Sequence, residues 1–92
     1  MLNLIHLFMV YHDDLEAKLA DDMSNCKKVL ADFRCSVHKR KATLVYDYDN
    51  DWTYAHITKC CCSKFAEQVA DILLRKQAID VVDFSDCKYI HP

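Results

Sequence analysis

Residues 2–14 read LNLIHLFMVYHDD, and their conformation decides the fold. The first ten are apolar except Asn3 and His6, and charge begins at Asp13. A short apolar run with aromatic and branched members, closed by charge, suits a buried strand. We therefore expect a strand over residues 2–11. Leu4, Phe8 and Val10 would face one way, and Ile5, Leu7 and Met9 the other. A strand apolar on both sides needs cover on both faces of its sheet, which points to a homodimer. The run is too short to span a bilayer. It also lacks the basic start and small-residue cleavage site of a secretory signal.

Downstream, Leu15, Leu19, Met23, Cys26, Leu30 and Phe33 recur at spacings of three and four. This predicts an amphipathic helix over 12–35. Asp13 and Glu16 resemble a capping box at its start, and Lys27, Lys28 and Arg34 suit its end. KATLVYDY (41–48) and WTYAHIT (52–58) read as a hairpin around Asp49, Asn50 and Asp51. Asn50 is the natural residue for a positive φ there. A three-residue loop would pair Tyr48 with Trp52, Tyr46 with Tyr54 and Leu44 with His56, all on one face. A two-residue loop would mix the two sets. SKFAEQVADILLRKQ (63–77) predicts a second helix with Ser63 as N-cap and Phe65, Val69, Ile72 and Leu73 inward. AIDVVDF (78–84) reads as a last strand, followed by a tail.

The expected order is thus β-α-β-β-α-β in a single α+β domain over 1–92. Its simplest layering is ferredoxin-like: a four-stranded antiparallel sheet with two helices on one face. That order is similar to RNA-recognition motifs, with TYAHI and LFMV in the places of their two aromatic motifs. The basic-glycine opening is absent, and His56 replaces the central aromatic. The order is also similar to small CRISPR adaptation nucleases, with Asp13 near the place of their strand-ending aspartate. No family is assigned on these residues.

The chain of 92 residues has no glycine, one proline and six cysteines, with a net charge of −2. Average usage would give about six glycines. Their absence excludes P-loops, dinucleotide fingerprints and the usual nucleophile elbow. It also implies that tight turns rest on Asn, Asp or Ser. The cysteines read as free thiols of a cytoplasmic protein. Asp47, Asp49 and Asp51 have the spacing of a calcium loop, but Trp52 and Thr58 stand where glycine and glutamate are needed.

Two pairs have metal-ligand spacing: Cys35 with His38 and His56 with Cys60. Zinc is the metal that thiolate and imidazole pairs take. Cys87 and His91 form a third pair. Adjacent Cys60, Cys61 and Cys62 fall where a strand meets a helix, and a helix N-terminus lowers thiol pKa. For a partner or nucleic acid, the candidates are Phe8, Tyr46, Trp52 and Tyr54 as stacking groups, with His38, Lys39, Arg40 and Lys41 near phosphates. No catalytic set is visible. The leading expectation is a small non-enzymatic regulatory or inhibitory module, of host or viral origin, that docks on protein. The alternative is a nucleic-acid binder whose aromatic sheet face and basic run share one surface, and the third is a small zinc protein.

Overall fold

A computed structural model describes the backbone of residues 2–49 and 51–91, and the side chains of 15–49 and 51–91. The chain forms helix α1 (Leu2–Leu30), strands β1 (Thr43–Asp49) and β2 (Trp52–Cys60), helix α2 (Ser63–Arg75) and short strands β3 (Val81–Asp83) and β4 (Lys88–Tyr89).

The expected first strand does not form. Residues 2–11 are the start of α1, so the order is not β-α-β-β-α-β and the fold is not ferredoxin-like. A ten-residue apolar run is as compatible with a helix as with a strand. His12, Asp13 and Asp14 interrupt its apolarity but contain no backbone breaker, so the helix runs through them. Asp13 lies inside α1, not at its start. The two-sided strand that pointed to a homodimer is thereby removed. The downstream periodicity holds as far as Leu30, where the helix ends five residues short of the expected Cys35: Cys26 is buried and Leu15, Leu19, Met23 and Leu30 are half-buried, while Phe33 is half-buried in the loop beyond the helix.

The sheet is mixed, not antiparallel. β1 and β2 pair antiparallel, whereas β3 and β4 both run parallel to β2. Lys59 is in register with Thr43 on one side and Lys88 on the other, so β3 and β4 share the edge of β2 away from β1. β2, α2 and β3 form a βαβ crossover, which makes the pairing parallel.

The hairpin closes on a two-residue loop, with Asp49 opposite Trp52. Tyr48 therefore pairs with Thr53 and Tyr46 with Ala55, not with Trp52 and Tyr54. One step in register moves every side chain to the other face. Leu44, Tyr46, Tyr48, Thr53, Ala55 and Ile57 face the helices, while Val45, Trp52, Tyr54 and His56 lie on the bare side. The proposed turn residue Asn50 lies outside the described residues.

The core forms between this sheet face and the helices: Phe65, Ala66, Val69 and Leu73 of α2 meet Ala55 and Ile57 of β2 and Cys26 of α1. Fully buried Thr53 ties three segments together. Its hydroxyl lies 2.7 Å from Asp22 Oδ2 of α1, and its N–H donates to Asp80 Oδ2 at 3.0 Å. Lys18 Nζ bridges the same two carboxylates at 2.8 and 2.9 Å.

Glycine's usual places are filled by other residues. Lys39 has φ 59° and Gln77 φ 55°. Gln77 ends α2 in a Schellman turn, with Ala78 N–H donating to Leu73 O and Gln77 N–H to Leu74 O. The expectation that Asn, Asp and Ser would carry these turns is not met at either position.

Candidate metal centre

Four ligand side chains converge where α1's trailing loop passes the junction of β2 and α2. The Sγ atoms of Cys35, Cys61 and Cys62 and a ring nitrogen of His38 all lie within 4.8 Å of one another. This cluster could hold a metal ion.

The loop supplies the first pair. After α1 ends, residues 36–38 turn back on Cys35. His38 N–H points to Cys35 Sγ at 3.5 Å, and Lys39 N–H donates to Cys35 O at 2.8 Å. Cys35 N–H donates to Arg40 O at 3.0 Å, closing the loop. Lys39 takes the left-handed conformation needed to leave this turn. Glycine is the usual residue at such a left-handed position, and here the turn forms with lysine instead. His38 N–H, the first cause, holds the Cys35 thiol down at about 6, with Val37 N–H helping against burial.

The second pair comes from the strand-to-helix junction. Cys61 is buried and Cys62 half-buried. Cys62 is the N-cap of α2, with extended backbone and no side-chain capping bond; Ser63, the expected cap, is the first helical residue. Its thiol is thus at the positive end of the helix and uncommitted to a cap. Burial pushes the Cys61 thiol up to about 12, so metal binding there must displace its proton.

The spacings suit zinc. Tetrahedral Zn²⁺ with Zn–S of about 2.3 Å and Zn–N of about 2.0–2.1 Å separates two sulfurs by about 3.8 Å and a sulfur from a nitrogen by about 3.6 Å. Cys61 Sγ and Cys62 Sγ are 3.8 Å apart, and Cys35 Sγ and His38 Nδ1 are 3.5 Å apart.

Of the sequence candidates, Cys35 and His38 are in the cluster, but His56 and Cys60 are not. The strand bulges at Thr58, because Leu44 pairs with Ile57 and Thr43 with Lys59. The extra residue puts His56 and Cys60 on opposite faces. Cys60 is buried in the core, and His56 Nδ1 meets Asp83 Oδ2 at 3.3 Å on the bare face. Cys61 and Cys62 were singled out only as thiols at a helix start. The signal available was that position itself, since both sulfurs are delivered to the end of β2 whatever the strand's parity. Cys87 is outside the cluster, but the His91 ring stacks on His38 at 4.3 Å, and His91 N–H donates to Cys61 O.

The partner-binding candidates are divided. His38, Lys39, Arg40 and Lys41 are at the knuckle. Tyr46 is under the helices, and Trp52 and Tyr54 are on the bare face. Nothing is described of the Phe8 side chain, which belongs to α1. Eight residues along β2 separate Trp52 from Cys60, about 26 Å at strand rise. The basic run and the exposed Trp52 are therefore at opposite ends of β2.

Among the described residues no helix is long and apolar enough to cross a membrane. No protein-family model, curated protein or solved structure matches the chain.

Proposed function

We propose that the chain is a zinc-stapled, non-enzymatic interaction module, with Cys35, His38, Cys61 and Cys62 as the ligands. The observation that carries this is the convergence of three thiols and one imidazole within 4.8 Å. A soft nitrogen and sulfur set favours zinc over magnesium or calcium. Four protein ligands fill a tetrahedron and leave no position for substrate, which is the pattern of structural zinc. The staple would join the end of α1 to the junction of β2 and α2. Structural zinc contributes about 10–16 kcal/mol in small domains at neutral pH, comparable to the whole stability of a domain this size.

Metal analysis of protein purified without chelator is the test. The expected result is one zinc per chain, with the melting temperature falling by more than about 10 °C when a strong chelator removes it. Protein that is folded, free of zinc and unable to take it up would overturn the reading.

A protein partner on the bare sheet face is a second reading, supported by Trp52 at 55% and Val45 at 53% exposure. A second copy of the chain is one such partner. Sedimentation at micromolar concentration tests for it, and a monomer unchanged by Trp52→Ala counts against it.

A further inference from the structure

Beside the candidate metal centre runs an open groove of 380 Å³ walled by Arg34, Lys39, Arg40, Lys41 and Lys59. We propose that this groove binds the sugar–phosphate backbone of single-stranded nucleic acid. The proposal deepens the zinc reading, because each wall residue flanks a metal ligand or its strand. Arg34 precedes Cys35, Lys39 to Lys41 follow His38, and Lys59 is two residues before Cys61.

Three observations carry it. First, among the described residues none of the five cations has a carboxylate partner, although Lys18 and Arg75 elsewhere do. Holding five like charges together without counter-charges is unfavourable unless an anion is to be met. Second, the metal does not account for them. Zinc with three thiolates carries one net negative charge, which leaves a surplus of about four positive charges in the groove. The chain's acidic turn at Asp47, Asp49 and Asp51 is near the other end of β2. That is more than twice the Debye length of about 8–10 Å in ordinary salt, so it does not neutralise the groove. Third, Ile90, which is 42% exposed, lines the groove, and the exposed ring of the next residue, His91, stacks on His38. A flat ring beside a cationic channel suits a ligand that alternates phosphates with planar bases. An acidic peptide would make no use of it.

The test is fluorescence polarisation of the zinc-loaded full chain with a labelled oligo-dT or oligo-U, with zinc content measured on the same samples. Saturable binding is expected. Log K should fall against log salt with a slope of about −3.5, at about −0.7 per phosphate met on a single strand. The triple variant Lys39→Ala, Arg40→Ala, Lys41→Ala should keep its zinc and flatten the slope by about 2. His91→Ala should weaken binding about fivefold or more, the stacking share of one base, with little change in slope. Zinc at one per chain with no oligonucleotide binding at low salt would overturn the groove and leave the zinc reading intact. Equal affinity for a duplex of the same length would overturn the single-strand assignment. An acidic peptide of matched charge that binds as tightly as the oligonucleotide would also overturn the proposal.

Discussion

Lys39 occupies a left-handed conformation immediately after His38 of the candidate metal cluster, a place where glycine would cost nothing and lysine costs about 1–2 kcal/mol. The turn persists because the knuckle's backbone hydrogen bonds hold Cys35 and His38 side by side. This pair was legible in the sequence from its C-x2-H spacing. The expected second pair, His56 and Cys60, is not brought together, because one bulged residue at Thr58 reverses the faces beyond it. His56 and Cys60 would share a face in a regular strand, and here they do not. The cysteines consequently differ in role despite being adjacent. Cys61→Ser or Cys62→Ser should lower zinc affinity by more than the roughly 10–100-fold that loss of an outer-shell partner costs. Cys60→Ser should keep the metal and cost about 1–3 kcal/mol, by placing a hydroxyl in the core. His56→Ala should leave zinc content unchanged. Competition with a chelating dye reads all four, and zinc loss in His56→Ala with retention in Cys61→Ser would reverse the assignment.

At the scale of elements, amphipathic periodicity was the reliable guide. It placed the later turns of α1 as far as Leu30 and placed Phe65, Val69 and Leu73 in the inward row of α2 while missing Ala66 and Ala70, since a helix face repeats over many residues. It was silent on residues 2–11, where apolar residues occupy every phase and a strand and a helix predict the same pattern. The hairpin was seen as a hairpin, but its loop length was misjudged by one residue, and that one residue exchanged core and surface. Two element junctions yield measurable consequences. Gln77→Gly relieves the left-handed Schellman position of α2 and should stabilise the fold by about 1 kcal/mol, read by urea denaturation; destabilisation would contradict the turn. Asp80 pins the α2–β3 connection to β2 and α1 through Thr53 and Lys18. Burial works against its charge, but the Thr53 N–H, the Lys18 ammonium and the Thr53 hydroxyl together hold its carboxyl below the usual value of 3.8. Its folded pKa is thus lower than its unfolded one, so its contribution is complete well above pH 3.8 and is lost as pH falls through the folded value. Asp80→Asn should cost about 1–3 kcal/mol at neutral pH and flatten stability against pH below about 4. An unchanged acid limb would show that the network contributes nothing.

For the whole molecule, α1 is the longest element. Its 29 residues span about 43 Å at helical rise, which sets the 58 Å long axis. The radius of gyration is 15.7 Å, against about 12 Å for a compact chain of this length. Small-angle scattering of a monomer should return a value near the larger figure, and one near the smaller would mean that α1 folds back. The charge is likewise divided along β2, with aspartates at the hairpin turn and, beside the candidate metal cluster, cations that have no carboxylate partner among the described residues. The net charge of −2 conceals this, so composition could not reveal it.

Which atoms would hold a zinc ion is read directly by X-ray absorption at the zinc edge of the zinc-loaded protein. Cys35, His38, Cys61 and Cys62 predict three sulfurs at about 2.3 Å and one nitrogen at about 2.0–2.1 Å. A first shell of two sulfurs and two nitrogens, the set that Cys35, His38, His56 and Cys60 would give, or a shell with oxygen ligands, would contradict it.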